Sequence, residues 1–374
     1  MLKIGIAGAR GLSTLMGFNA VPDVTVAAIC DLDANLLASA SKKYNIPKTY
    51  RVFDDMIESD IDAVVIATPM QCHVPQAIAA LEAGKHILSE VTAGVTMDEL
   101  WWLIECVEKY KKIYMFAENY CYMPRVQQIR NMVRRGLFGE IYYGEGEYLH
   151  ELSSLATYPN GKTSWRNFWQ LGKRGAFYPT HSIGPVMQWF DDERIISVSS
   201  FGTGHHANPK FRQDDTSITL CRLTNDKLAQ IRVDCLSPRP HNMTYYQLQG
   251  TRGAYEAPRG FGDGHKIWLT DMDPDTDHAE WRSLNDFDEY LPDRYKKAKD
   301  EQLEAGHGGG DFFLVEDFVN AIKNNAAPDI DVYKACEWTA VALLSEISVT
   351  NSGRAIDMPH FRKNMPRGEQ VITL

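Results

Sequence analysis

The first thirty-one residues constrain this chain more than any other stretch. Residues 3–8 (KIGIAG) read as a short buried strand, Ala9, Arg10 and Gly11 as a tight turn, and residues 12–20 as a helix. Residues 24–30 (VTVAAIC) form a second apolar strand that stops on Asp31. Parallel strands need a crossover, and the helix supplies it. A strand–turn–helix–strand unit with an acid about twenty residues past its glycine is the layout of a dinucleotide site. Gly8, Ala9 and Arg10 would line the turn. The helix start would offer free N–H groups and partial positive charge to a diphosphate. Asp31 would accept from a ribose hydroxyl and repel a 2′-phosphate, which favours NAD over NADP. With Gly8 as the first glycine, the second and third positions fall on Arg10 and Ser13. The glycine pattern alone therefore also fits an ordinary βα turn.

The rest of the chain sharpens that reading. Its 374 residues suggest two domains, and 44% hydrophobic content supports real cores. A net charge of −10 argues against nucleic acid or an anionic membrane as partner. No basic segment followed by an apolar run opens the chain, and no run of about eighteen apolar residues suggests a membrane span. The seven cysteines are scattered without CxxC pairs or zinc spacing. They read as reduced small hydrophobes in a cytoplasmic protein.

Helical patterns over 34–43, 69–84 and 96–111 alternate with strands over 61–68, 86–90 and 114–118. Thr96 and Glu99 have the spacing of a capping box. This alternation predicts an α/β doubly wound parallel sheet over residues 1–121. Ligands in such sheets sit beyond the carboxyl ends of the strands. Those ends are Gly8, Ala9 and Arg10, then Asp31, then Thr68, Met70, Gln71, Cys72 and His73, then Glu90 and Val91, then Asn119. After a helix over 124–135, long strand-like runs at 141–150, 195–201, 216–223, 229–235 and 243–249 predict a second domain over 122–374. Its sheet should be large, open and mixed or antiparallel. An acidic loop at 271–277 and helices over 311–323 and 332–349 follow.

Three clusters in the second half could carry chemistry. Tyr148, Leu149, His150 and Glu151 close a strand; alternation puts Tyr148 and His150 on one side of it. Tyr178, Pro179, Thr180 and His181 precede a Gly184–Pro185 turn. Gly306, His307, Gly308, Gly309, Gly310 and Asp311 lead into a helix. Each has a plainer reading: Tyr148 as a half-buried sheet tyrosine, His181 as a helix-start histidine bonded to backbone, and 308–310 as a flexible loop with Asp311 as N-cap.

On these residues the chain resembles the Gfo/Idh/MocA oxidoreductase family over nearly its whole length. Within it, the chain most resembles the NAD-dependent glycosidases of glycoside hydrolase family 109. Gly8-Ala9-Arg10-Gly11 is similar to that group's Gly-Met-Arg-Gly turn. Ser89-Glu90-Val91 matches its Ser-Glu-Val, and Glu118-Asn119-Tyr120-Cys121-Tyr122 resembles its Glu-Asn-Cys-Cys-Tyr. Residues 148–152 resemble its Tyr-Ile-His-Asp-Leu; residues 178–181 repeat its Tyr-Pro-Thr-His; residues 306–311 are close to its Gly-His-Gly-Gly-Met-Asp.

The resemblance implies a Rossmann domain followed by an α/β domain on an open sheet. It implies NAD contacts at Ala9, Arg10, Asp31, 70–73, Glu90, Val91 and Asn119, and substrate contacts at Tyr148, Arg166, Tyr178, Pro179, Thr180 and His181. It also implies a homo-oligomer acting on a small sugar or glycoside. Two departures stand out. Ordinary dehydrogenases of the family carry Glu-Lys-Pro where this chain has Glu90-Val91-Thr92, so the lysine at the reacting hydroxyl is missing. The glycosidases have a tyrosine after Arg-Pro where this chain has His241.

The implied chemistry is redox-neutral glycoside cleavage: oxidation at C3, loss of the C2 proton, elimination of the C1 substituent, addition of water and re-reduction. His181 would serve the C3 hydroxyl, and Tyr148 would be the C2 base with a lowered pKa. A plain NAD-dependent sugar dehydrogenase or ketosugar reductase, and a non-catalytic NAD-binding sensor, are the alternatives.

Overall fold

The computed structural model describes residues 1–272, 275 and 277–362. Positions 273, 274 and 276 of the expected acidic loop lie outside the described residues. The chain folds into two compact units, Met1–Met123 with Lys297–Cys336, and Pro124–Lys296 with residues 337–362. The expected division into 1–121 and 122–374 lies close to the end of the first segment, but residues 297–336 return to the first unit. The helix Gly310–Asn324 explains the return, because it buries Phe312, Val315 and Phe318. It does so against the helix Leu15–Ala20, where a Cβ on Gly17 would meet Val315 Cγ2 at 3.1 Å. Such long-range pairing leaves no mark in a local pattern.

In the first unit, six strands build one parallel sheet: β1 (Leu2–Ala7), β2 (Val24–Cys30), β3 (Lys48–Tyr50), β4 (Ala63–Ile66), β5 (His86–Ser89) and β6 (Tyr114–Phe116). Their order is β3-β2-β1-β4-β5-β6. The order reverses between β1 and β4, which opens a crevice at their carboxyl ends. Strand β4 is wholly apolar and buried, and β5 is buried from Ile87 to Ser89, as a sheet covered on both faces requires. The capping box forms: Thr96 Oγ1 accepts from the Glu99 N–H at 3.2 Å, and Glu99 Oε2 accepts from the Thr96 N–H at 3.1 Å. The helix expected over 12–20 is shorter. A 3₁₀ turn, Ala9–Thr14, comes first, and the α-helix runs Leu15–Ala20. The helical pattern at 69–84 likewise divides into a 3₁₀ turn, Met70–Cys72, and a helix, His73–Glu82.

The second unit is built on nine strands: β7 (Ile141–Leu149), β8 (Ile195–Gly202), β9 (Thr216–Leu223), β10 (Leu228–Asp234), β11 (Asn242–Gly250), β12 (Gly253–Glu256), β13 (Lys266–Leu269), β14 (Arg282–Ser283) and β15 (Ile356–Asp357). The order is β14-β13-β12-β11-β7-β10-β9-β8-β15. Only β7 and β10 run parallel among these pairs, so the sheet is mixed as expected.

One helix matters most for position. Residues 184–185 are not a turn: the helix Thr180–Met187 runs through them and carries Pro185 inside. It lies on β7, β11 and β10. Gly146 on β7 makes this approach possible, since a Cβ there would stand 2.5 Å from the Ser182 carbonyl oxygen. Proline has no N–H, so the His181 carbonyl four residues earlier loses its helical donor. The Tyr246 hydroxyl donates to that carbonyl instead, at 2.6 Å. Tyr246 is paired with Gly146 across the antiparallel β11–β7 ladder, and directly paired residues share a sheet face. The vacant space of the glycine thus seats the helix, and its cross-strand neighbour anchors it. Gly146→Val should lower stability in urea unfolding by about 1–3 kcal/mol, the usual cost of overpacking. Wild-type stability in that variant would sink the close-approach account.

Candidate active site

Within the second unit, one face of β7 gathers the aromatic and imidazole groups. Alternation carries Gly144, Gly146 and Tyr148 to the face that receives the helix Thr180–Met187. The Tyr148 ring lies 5.2 Å from His181, 5.6 Å from Tyr178 and 5.5 Å from His150, centroid to centroid. Tyr178 meets His181 edge to face at 5.1 Å. The Tyr148 hydroxyl and His150 Nδ1 are 2.7 Å apart. His241 completes the group, with its ring 4.5 Å from that of His150. Arg166, on the short helix Arg166–Trp169, bonds Gln170 Oε1, and its charge reaches His150.

The electrostatics give His150 a definite role. Its pKa is held below the ordinary imidazole value, by burial first and then by the fields of His241 and Arg166. The ring is therefore neutral at pH 7. A neutral imidazole with its proton on Nε2 leaves Nδ1 bare, and in that tautomer the Tyr148 O–H donates to it. His150 stands two residues from Tyr148 on the same side of the strand, a signal legible in the sequence, yet its acceptor role needs the distance.

The YPTH segment is fixed from below. The buried Asp214 carboxylate accepts from Arg174 Nη2 at 2.7 Å, from the Gly175 N–H at 3.1 Å and from the Gly204 N–H at 3.2 Å. Burial opposes its ionisation, but the bonds from Arg174 and Gly175 outweigh that and hold its pKa below the usual carboxylate range. Ser345 Oγ accepts from the Ala176 N–H at 2.9 Å. Tyr178, Pro179, Thr180 and His181 follow directly. Pro179 is the N-cap position of the helix, and Thr180 Oγ1 is buried without a partner among the described residues. Neither Asp214 nor Tyr246 carries a sequence signal, because both act through long-range contacts.

The first unit carries the dinucleotide features. Gly8 has φ +86°, and a Cβ there would stand 2.5 Å from the Ala67 carbonyl oxygen, so only glycine closes the turn at the sheet's switch point. Gly11, not residue 13, is the close-packing position: a Cβ there would lie 2.7 Å from Ile6 Cγ2. The 3₁₀ turn shifts the glycine spacing, which is why the linear pattern looks degenerate. Arg10 is exposed at the middle position. Asp31 Oδ2 accepts from the Ala9 N–H at 3.0 Å, and Oδ1 accepts from the Asp33 N–H at 3.0 Å. Each oxygen keeps a further lone pair for a ribose hydroxyl.

On the other side of the crevice, Thr68 Oγ1 bonds Gln76, and Gln71 Oε1 is buried without a partner among the described residues. These groups, an acidic acceptor after β2 and an unmet acceptor after β4, fit a dinucleotide. Met70 and Val91 are buried, Glu90 and Cys72 are half-buried, and Asn119 stands at the start of a 3₁₀ turn after β6. His73 is different. Its ring is fully buried between the Thr92 and Thr68 carbonyls, at 2.7 and 2.8 Å, so the side chain holds the loops rather than a ligand. Among the described residues no helix is long and apolar enough to cross a membrane, and no group of acidic, histidine and cysteine side chains is placed to hold a metal.

Comparison with known proteins places these features in a family. Residues 2–118 match the oxidoreductase family with an NAD-binding Rossmann fold, and residues 122–366 match the C-terminal domain of glycosyl hydrolase 109. A glycosyl hydrolase family 109 protein of Saccharopolyspora erythraea is 31% identical, covering 97% of this chain and 83% of that protein. An alpha-N-acetylgalactosaminidase of Shewanella oneidensis is 32% identical, covering 97% of this chain and 85% of that protein. Among solved structures, a levoglucosan dehydrogenase in complex with NADH superposes with a TM-score of 0.79 at 22% identity, covering 96% of this chain and 99% of that one. An oxidoreductase domain protein from Kribbella flavida gives 0.81, also at 22% identity, with the same coverage of each chain. Six parallel strands in Rossmann order, a mixed nine-stranded sheet behind them in sequence and two family matches that together span nearly the whole chain lead to one assignment: the chain belongs to glycosyl hydrolase family 109, as an NAD-dependent enzyme of the Gfo/Idh/MocA type.

Proposed function

We propose that this protein cleaves a glycoside without net oxidation, by C3 oxidation and C1–C2 elimination. The Tyr148–His150 pair carries the reading: a phenol 2.7 Å from a neutral imidazole that can accept its proton is a base in waiting. Free phenol titrates near ~10, so removing a carbon-bound proton at neutral pH needs such an acceptor.

Bound NAD supplies hydride acceptance from a ring carbon and the later return of that hydride. Gly8, Ala9, Arg10, Asp31, Gln71 and Asn119 are the residues that would hold it. His181 receives the C3 hydroxyl proton as C3 becomes a ketone. The ketone acidifies the C2–H. Tyr148, having passed its own proton to His150, takes the C2 proton while the C1–O bond breaks, and the aglycone leaves with the proton that His150 held. Water then adds at C1 and gives its proton to His150, Tyr148 returns a proton to C2 and recovers its own from His150, and His181 gives its proton back to the C3 oxygen. Tyr178, Arg166 and His241 border the same face of β7 and are assigned to substrate hydroxyls.

The two carboxylates of β7 do not form a catalytic pair on this face. Glu145 and Glu147 alternate to the face opposite Tyr148, where Arg259 meets them at 3.6 and 3.1 Å. A two-carboxylate glycosidase needs both groups on the sugar's side, about 5–10 Å apart. The missing lysine at Val91 supports the reading further, since the proton work falls to His181 and Tyr148.

Glycosides incubated with the full-length protein in D₂O should yield free sugar carrying deuterium at C2, with no net NADH. Net NADH with an intact glycosidic bond would instead establish a plain dehydrogenase. Tyr148→Phe should abolish C2 exchange and slow turnover by about 10²–10⁴-fold, the range for one general base. Exchange at the wild-type rate in that variant would remove Tyr148 as the base.

The pH profile tests His150 separately. Only its neutral form accepts the Tyr148 proton, and its pKa lies below the ordinary imidazole value. The acid limb of kcat/KM should therefore fall below about pH 6.5. His150→Gln should remove that limb and cost roughly 10²-fold in rate. An unmoved acid limb in His150→Gln would assign the limb to another group.

A further inference from the structure

One motif takes no part in the reaction above. Residues 306–311 belong to the first unit, nearly two hundred positions from the strand end they meet. His307 Nδ1 lies 2.9 Å from Asp311 Oδ1, and Asn119 Nδ2 donates to the same oxygen at 3.0 Å. The Tyr120 ring packs against the imidazole, 5.4 Å between centroids. Asp311 is therefore not the helix N-cap; Gly309 holds that position.

The backbone is unusual as well. Gly306, His307, Gly308 and Gly309 all have positive φ, at 101°, 49°, 65° and 91°. A histidine in the left-handed region is disfavoured, and the surrounding bonds must hold it there.

The arrangement sorts charge by depth. The charged groups around His307 are Asp311 on its own segment, Glu118 after β6 and Arg10 after β1. Both carboxylates are buried: Glu118 is fully enclosed and Asp311 nearly so. Arg10 is exposed, and a third of the His307 side chain is too. The bond to Asp311 raises the His307 pKa above the ordinary imidazole value, against opposing burial, so the ring holds its proton to higher pH than a free imidazole. With Nδ1–H given to Asp311, the protonated ring keeps Nε2–H as a second donor. The rim beside the first βα turn is thus positive, over a buried negative floor.

We propose that His307 is a cationic contact for the diphosphate of the bound dinucleotide, oriented by Asp311, and that this contact makes dinucleotide affinity proton-linked. The diphosphate is the only anionic group of NAD, and in this fold it lies by the turn that carries Arg10. The proposal rests on NAD binding alone and stands or falls separately from the glycoside reaction.

Calorimetric titration of the full-length, cofactor-free chain with NAD⁺ and with ADP-ribose tests it. Neither diphosphate titrates between about pH 6 and pH 9, so a change in Kd reports the protein. His307 with a raised pKa contributes fully at low pH and loses its charge as pH rises through that value. Kd for both probes should weaken by roughly tenfold or more toward pH 9, the size of one charge-assisted hydrogen bond. Adenosine, which lacks the diphosphate, should show no such change. His307→Gln should bind both probes weakly at every pH with a flat profile. His307→Lys should keep tight binding through pH 9, which also shows that the loop still folds. Wild-type affinity and pH dependence in His307→Gln, or a flat profile in the unaltered protein, would overturn the proposal.

Discussion

The hydrogen bond from the Tyr246 hydroxyl to the His181 carbonyl is the joint on which the second unit's chemistry depends. Pro185 creates the need for it by withholding the helical donor, and Gly146 creates the room for it. A buried carbonyl without a partner would cost about 1–3 kcal/mol. The tyrosine removes that cost and fixes the depth of the helix on the sheet. His181 projects from the first turn of this helix and Tyr148 from the strand beneath it. Their 5.2 Å ring separation follows from the seating of the helix.

The same economy of position appears beneath the segment that leads into the helix. Asp214 accepts from Arg174, Gly175 and Gly204, so one buried carboxylate holds two loops. Because its pKa is depressed, this contribution to stability is present above the unfolded carboxylate value and is lost as pH falls through the folded one. On the reverse face of β7, Glu145 and Glu147 pair with Arg259 and stay away from the aromatic cluster. A single strand thereby keeps its acids and its phenol apart by alternation alone.

Much of this was legible in the sequence, for physical reasons that differ by residue. The parallel sheet was readable because buried strands are continuous apolar runs between helical periods, and the Thr96–Glu99 capping box because its spacing is local. Tyr148 and His150 could be placed on one face by period-two alternation. The middle of the sequence was harder. Gly184 and Pro185 read as a turn because proline usually ends a helix, and only a tyrosine from β11 reverses that. The role of Gly11 was hidden because a 3₁₀ turn altered the spacing of a known motif. The short strands β3, β12 and β13 were missed because their patterns are too brief to separate from loops. The return of 297–336 to the first unit was invisible because contacts across such separations carry no local signature.

Two histidines show how surroundings, not residue type, assign a task. His150 is buried beside another imidazole and a guanidinium, so it stays neutral and can accept a proton from Tyr148. His307 is bonded to a buried carboxylate, so its pKa is raised and it keeps its proton to higher pH. Both are ordinary imidazoles with the same intrinsic titration. Exchange of their neighbours would exchange their states. A neutral His307 could still donate one hydrogen bond but would lose its attraction for an anion. A charged His150 would have no lone pair on either nitrogen and could not accept the Tyr148 proton. The opposite shifts are therefore the property to preserve in any redesign, ahead of the identity of the histidines themselves.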